Sequence, residues 1–396
     1  MTRFFLFITA ISLVIWLYLL FFRGRFWRSD QKLDADSPTL SRLPVVRAVI
    51  PARNEAESLP ISLSSLFSQD YAGDFSIVLV DDCSSDGTAE VAREIAGKFD
   101  RSERLTVLTG QPLPAGWTGK LWAMKQGIAR ATGDSAIDYL LLTDADIEHD
   151  RTNLSRLISK AERENQALVS VMVALRCQSF WEKFLIPAFV FFFEKLYPFP
   201  SVNNPNSTIA AAAGGCILIR RDILEKIGGI EILKDALIDD CSLAIAVKNY
   251  IRSRPEIGTR SIWLGLSETT RSIRPYPDLE TIWNMVARTA FTQLNYSPFL
   301  LIGTIIGMFI TYLAAPIGLV IGLLFGNKLL AIVSSIVWLL MAVSYWPTLK
   351  LYGLSIWRSL TLPFIAVFYS LMTVDSAFRY WRGQGGAWKG RVYPGR

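Results

Sequence analysis

Residues 139–147 read YLLLTDADI. Four large apolar side chains in a row, Tyr139 to Leu142, suit a strand buried on both faces of a parallel sheet. The run stops at Asp144 and Asp146, which would then stand where the strand leaves the sheet, the edge at which open α/β sheets take ligands. Two carboxylates this close repel unless a cation holds them. A hard divalent ion, Mg²⁺ or Mn²⁺, suits the pair, because it takes one or two carboxylates and completes its shell with phosphate oxygens and water. A solvated turn or a helix cap is the plainer use of Asp-x-Asp.

Outward from this stretch the chain alternates. Apolar runs Val46 to Ile50, Ile77 to Val80 and Leu105 to Leu108 precede it, separated by segments of helical spacing such as Leu121, Met124 and Ile128. Strand–helix alternation implies an α/β fold, a mostly parallel sheet with helices on both faces. Three loops should then share one edge: PARNEAES (Pro51 to Ser58), DDCSSDGT (Asp81 to Thr88) and the loop of Asp144 and Asp146. Ser58 is placed to cap the helix that follows, with Pro60 in its first turn. If strand order brings the loops together, Glu55, Asp82, Asp144 and Asp146 converge on one crevice. So many acids call for a metal and for hydrogen-bond donors.

Both ends of the chain are apolar. Residues 4–22, FFLFITAISLVIWLYLLFF, carry no charge and are long enough to cross a bilayer as a helix. They lack the short core and small-residue cleavage site of a signal peptide. Arg23, Arg25 and Arg28 follow, which places the next residues in the cytoplasm. Residues 184–193, FLIPAFVFFF, are too short to span and contain Pro187, so they read as a buried or interfacial helix. Downstream, 299–326 and 329–346 are spanning candidates, and 359–374, interrupted by Pro363, is a weaker one. Three crossings would put the tail outside, yet Arg379, Arg382, Lys389, Arg391 and Arg396 belong with the cytoplasm. One C-terminal segment therefore lies at the interface or re-enters.

Composition agrees: 51% of residues are hydrophobic and 19% charged. The net charge of +6 is spread through mixed-sign segments, so juxtamembrane cations explain it better than nucleic-acid binding. Cys83, Cys177, Cys216 and Cys241 lack C-x-x-C spacing, which disfavours a zinc site or disulfide framework. His149, the only histidine, reads as a solvated turn residue. No G-x-G-x-x-G follows a strand and no G-x-x-x-x-G-K-[ST] is present, which disfavours a dehydrogenase and a Walker ATPase.

VIPARNEAESL, VDDCSSDGT, the GK-x-x-A-x-x-x-G of GKLWAMKQG (Gly119 to Gly127), TDADI, and AAGGCILIRRDILEKIGGI (Ala212 to Ile230) with LIDDCSLA (Leu237 to Ala244) together resemble the family 2 glycosyltransferases of the GT-A fold. TGQPLPAGWTGKLWA, FVFFFEKLYPF and MVARTAFTQL are similar, more narrowly, to the hopene-associated glycosyltransferases of hopanoid-making bacteria. The resemblance covers roughly 45–290 and implies a nucleotide-sugar site formed by Pro51, Ala52, Arg53, Asn54, Glu55, Asp81, Asp82, Lys120 and Asp144. It further implies a metal on Asp144 and Asp146, a base at Asp240 with Asp239 beside it, and close backbone approach at Gly214 and Gly215. Helix capping by Asp239 and Asp240, an ordinary surface role for Lys120 and a simple turn at the glycines are the rival uses. Arg288, in WNMVARTAF, stands where processive relatives carry Gln-x-x-Arg-Trp, but the Gln and Trp are absent, which favours a single transfer.

The resulting organisation is an anchor at 1–28, a linker at 29–44, a nucleotide-sugar half at 45–150, an acceptor half at 151–297, membrane helices at 298–376 and a basic tail at 377–396. The expected activity is inverting transfer of one sugar, from a UDP-sugar, to a lipid such as a hopanoid, at the cytoplasmic face of a bacterial inner membrane. A non-catalytic scaffold or nucleotide-sugar sensor is the reading from another class. Oligomeric state is left open.

Overall fold

The computed structural model describes residues 1–34, 40, 42–133, 137–234, 236–258, 261–384, 387–388 and 391–392. Part of the 29–44 linker, and Lys389 and Arg396 of the basic tail, lie outside the described residues, as does the side chain of Arg391.

Among the described residues, eight strands form one sheet: β1 (Val46–Ala52), β2 (Phe75–Asp81), β3 (Leu105–Thr109), β4 (Tyr139–Thr143), β5 (Ile147–Glu148), β6 (Gln166–Ala174), β7 (Cys216–Arg220) and β8 (Ser261–Ser272), in the order β3-β2-β1-β4-β7-β6-β8-β5. The first four are parallel, with Ala52 level with Asp81 and Val49 with Leu142. The apolar runs of β1, β2 and β4 are buried on both faces, as strands covered by crossover helices require, whereas β3, at the sheet edge, is half-buried. Beyond β4 the sheet is mixed. β7 lies antiparallel between β4 and β6, and β5 antiparallel to β8. The antiparallel insertion starts β7 at the edge where β4 ends, Thr143 facing Cys216. The loop preceding β7, with Gly214 and Gly215, is thereby delivered beside Asp144.

The helix Gly119–Gly133 lies against β1 and β2 at short range. A Cβ on Gly127 would come 2.5 Å from Val49 Cγ1 and 3.0 Å from Val80 Cγ2. Only glycine permits this approach, which fixes how far Lys120, at the helix start, projects over the edge.

Among the described residues, five helices are long and apolar enough to cross a membrane: Thr2–Phe21, Phe180–Val202, Pro298–Leu324, Lys328–Leu351 and Ile356–Trp381. The second corrects the ten-residue segment read from sequence. Its charged ends concealed its extent, and the structure gives those charges partners. Glu182 closes a capping box with Ser179 and pairs with Arg176 at 2.9 Å, and Glu194 accepts from Ser29 Oγ at 3.0 Å. The N-terminal helix packs on the C-terminal ones, with Trp16 Nε1 donating to the Thr311 carbonyl at 2.8 Å.

Candidate functional site

The loops after β1 and β2 are joined by hydrogen bonds. Asn54 N–H donates to Ser84 Oγ and Ser85 N–H to Asn54 Oδ1, both at 2.9 Å; Glu55 N–H donates to Thr88 Oγ1 at 2.9 Å. Asn54 and Cys83 adopt left-handed backbone, φ 51° and 54°, which lets each loop turn back towards the other. Arg53 lies across the Asp82 carbonyl at 2.5 Å, with its guanidinium 3.7 Å from the buried Asp82 carboxylate. Asp81 accepts from Ser84 N–H at 3.0 Å. Ser58 does not cap its helix; its hydroxyl donates to Glu55 Oε2 at 3.0 Å. Its backbone is already helical, φ −83° and ψ −36°, rather than the extended form from which a serine oxygen accepts first-turn N–H groups.

Beside this pair, the Lys120 ammonium sits 2.8 Å from Asp144 Oδ1 and 3.6 Å from Asp239 Oδ2. It is no ordinary surface lysine. Burial alone would lower its pKa, but Asp144 and Asp239 together hold it above its ordinary value. One cation thus ties the end of β4 to the start of the helix Asp239–Arg252. Burial raises the Asp144 carboxyl above its usual range in spite of Lys120.

Asp240, in the first turn of that helix, accepts from Gly214 N–H at 2.8 Å and from its neighbour Cys241 N–H at 2.7 Å. Burial, followed by the charge of Asp239, pushes its carboxyl up to about 6 against these donors and Lys120. That is a suitable value for a base working near neutral pH. A Cβ on Gly214 would meet Asp240 Oδ2 at 3.3 Å and Lys120 Nζ at 3.4 Å, so its small size admits both charged groups to one point. Gly215 has a different reason: a Cβ there would press on Val173 and Ile147 in the core.

Asp146 faces another cation. Arg274, two residues past β8, donates from Nε to Asp146 Oδ2 at 2.6 Å and from Nη2 to Glu55 Oε1 at 3.1 Å. Sequence reading missed Arg274. Its one signal is position, a cation in RSIRP where the long strand β8, apolar in its first half, comes to an end. Arg288, by contrast, ends the helix Leu279–Ala287 and is exposed. His149 is a further correction. It is buried, its Nε2 3.0 Å from Thr143 Oγ1 and its Nδ1 3.0 Å from Asn153 Nδ2, and burial pushes its pKa down to about 4. The two partners hold a neutral ring, in a structural role.

The donor set suits a hard cation only in part supplied by the protein. Asp144 Oδ2 and Asp146 Oδ1 stand outside the contacts just described, and no cluster of three or more His, Cys, Asp or Glu gathers for a metal among the described residues. Two carboxylate oxygens fit Mg²⁺ or Mn²⁺ that completes its shell with ligand oxygens and water, and do not fit zinc.

Residues 48–228 match the model of the family described as "Glycosyl transferase family 2". The chain is 27% identical over 257 residues to "Probable glycosyltransferase YdaM" of Bacillus subtilis, covering 63% of this chain and 58% of that protein. It is 30% identical over 165 residues to 4,4'-diaponeurosporenoate glycosyltransferase of Staphylococcus haemolyticus, covering 41% of this chain and 39% of that one. The chain thus spans 58% of the first relative's length and 39% of the second's. Among solved structures, mannosyltransferase PcManGT from Pyrobaculum calidifontis, in complex with GDP-Man and Mn²⁺, superposes with a TM-score of 0.52 at 15% identity, covering 95% of this chain and 98% of that chain. That likeness is one of fold, GT-A.

Proposed function

We propose that this chain, whose residues 48–228 match the glycosyl transferase family 2 model, is a membrane-bound inverting glycosyltransferase that moves one sugar from a nucleotide-sugar to a lipid hydroxyl. The observation that carries the reading is the Lys120 bridge between Asp144 and Asp239, because it sets a donor-side carboxylate beside the raised-pKa Asp240.

The paired loops of Arg53–Ser58 and Asp82–Thr88 form the wall for the nucleotide, with Asp81 and Asp82 towards base and ribose. Lys120 and Arg274 are cations close to where a diphosphate would lie, and they orient Asp144 and Asp146. A divalent metal held by those two carboxylates would supply positive charge to the departing diphosphate. Asp240 takes the proton of the acceptor hydroxyl while that oxygen bonds to the anomeric carbon. The bond from that carbon to the diphosphate oxygen breaks on the opposite side, and configuration inverts. Gly214 and Cys241 N–H hold Asp240 with both oxygens fixed. The donor we favour is a UDP-sugar, and the acceptor class implied by the narrower resemblance is a hopanoid. The five apolar helices support a lipid acceptor, since such a substrate stays in the bilayer, and the setting is a bacterial inner membrane with the domain facing the cytoplasm.

The test is incubation of purified protein with a panel of labelled UDP- and GDP-sugars, Mg²⁺ or Mn²⁺ and native lipid extract, followed by analysis of labelled lipid. Label in lipid that disappears on Asp240→Asn, with nucleotide binding intact, supports the enzyme. Nucleotide-sugar binding without transfer or donor hydrolysis in any combination would favour the sensor or scaffold instead.

A further inference from the structure

The last apolar segment, residues 353–381, begins and ends on one side of the molecule. The helix Lys328–Leu351 finishes against the catalytic domain: Thr348 Oγ1 lies 3.3 Å from Ser29 Oγ, and Leu351 and Tyr352 pack against the core that the sheet builds. The end of the chain's last helix, Leu362–Trp381, returns to that same level. Asp375 accepts from Trp283 Nε1 at 2.8 Å, Arg379 donates to Asn284 Oδ1 at 2.7 Å, Phe291 N–H donates to Ser376 Oγ at 3.0 Å, and Tyr380 stacks on Tyr296. Those partners precede Pro298, where the chain enters the next apolar helix.

Between these points the chain dips and comes back. Gly353, with φ +64°, turns it at the end of the Lys328–Leu351 helix, and a 3₁₀ turn runs over Ile356–Thr361. The Leu360 carbonyl accepts from Trp338 Nε1 at 3.1 Å. Trp338 is ten residues back from Thr348, about 15 Å along the helix axis and near the middle of a bilayer core. The ascending helix then crosses Phe180–Leu196, where Tyr369 donates to the Leu185 carbonyl at 2.9 Å. Its inner face is buried, yet its outer face is apolar too. Trp357, Phe364, Leu371 and Phe378 recur every seven residues, and all four are exposed. An element apolar on both faces belongs in lipid.

We propose that residues 353–381 form a re-entrant hairpin, whose outward aromatic and aliphatic stripe lies in the leaflet on the catalytic side and whose C-terminal end returns Arg379 and Arg382 to that side. The proposal rests on the membrane reading above and specifies the surface that meets the lipid. Two crossings then remain after the catalytic domain, Pro298–Leu324 and Lys328–Leu351, and the positive tail obeys the charge rule that three crossings broke. The hairpin also packs on the helices Phe180–Leu196 and Leu279–Ala287, whose starts flank Tyr276, two residues past Arg274, with Ser179 Oγ donating to the Tyr276 carbonyl and Tyr276 N–H to Glu182. It would therefore hold the acceptor side of the site at the lipid surface.

Cysteine labelling in sealed membrane vesicles tests this. Native Cys83, exposed in the β2 loop, marks the catalytic side. In a C83S/C177S background, Phe325→Cys marks the loop between the two crossing helices, Gln384→Cys follows the hairpin, and Phe364→Cys lies on its stripe. With a membrane-impermeant maleimide, Gln384→Cys should label under the same conditions as Cys83 and Phe325→Cys under the opposite ones. Phe364→Cys should stay unlabelled until detergent is added. Gln384→Cys tracking with Phe325→Cys would overturn the hairpin and leave the membrane reading standing. Phe325→Cys tracking with Cys83 would remove both. Protease accessibility of a C-terminal epitope gives the same answer without a cysteine in the fold.

Discussion

Replacing Asp240 with Asn keeps size and shape and removes the charge, but the structure shows that it is not silent for the fold. Both carboxylate oxygens face backbone donors, Gly214 N–H and Cys241 N–H. An amide can satisfy one of them, and its NH₂ then confronts the other. The unmet donor costs about 1–3 kcal/mol of stability, which a thermal melt in detergent would read. The catalytic loss is larger, because a positioned general base contributes roughly 10²–10⁴-fold. The wild-type pH profile should carry the same signature. The carboxyl, raised to about 6, is a base only when deprotonated, so kcat/KM should fall as pH drops below about 6 and level off above it. In Asp240→Asn the residual rate should lose that acid limb. The assay is transfer of labelled sugar to lipid at saturating metal, with nucleotide binding measured separately. An Asn variant with activity within about threefold of wild type, or an unchanged acid limb, would refute the assignment of the base.

Lys120→Met keeps the aliphatic stem and deletes the bridge. Transfer should fall about 10²-fold, with a stability loss at the low end of about 1–3 kcal/mol because Asp144 remains 35% exposed to water. Arg274→Gln should raise the KM for donor and lower stability by roughly 2 kcal/mol, the figure for a buried pair reduced because Arg274 is itself 39% exposed; donor titrations and melts read the two effects. His149 is pushed down to about 4, so the unfolded chain takes up a proton that the fold refuses as pH drops below 6.5. Stability should therefore decline between about pH 6.5 and 4, and urea titrations of His149→Gln across that window should show a shallower decline.

The four parallel strands were legible because each is a short apolar run bounded by polar loops, and the placement of their loops follows from parallel pairing. The acidic residues at the strand exits were legible for the same reason. What local sequence could not disclose is which charge meets which. Arg274 finds Glu55 219 residues away, a pairing that depends on β8 ending at the edge where β1 ends. In the sequence Lys120 is open between the nucleotide-sugar site and an ordinary helix surface; its partners Asp144 and Asp239 reach it only through the placement of β4 and of the helix Asp239–Arg252. His149 misled because its flanking residues are polar, whereas Thr143 and Asn153 enclose it from two other elements. The extent of Phe180–Leu196 was hidden by charges whose partners, Arg176 and Ser29, lie outside the helix.

The position of β4 has a practical consequence for anyone wishing to divide the gene. It is flanked by β1 from the first half of the domain and by β7 from the second, so the ladder runs unbroken past residue 150. A fragment ending there would expose the whole outer edge of an apolar strand, an invitation to intermolecular pairing and insoluble expression. Co-expressed halves should rescue one another only if the second supplies β7.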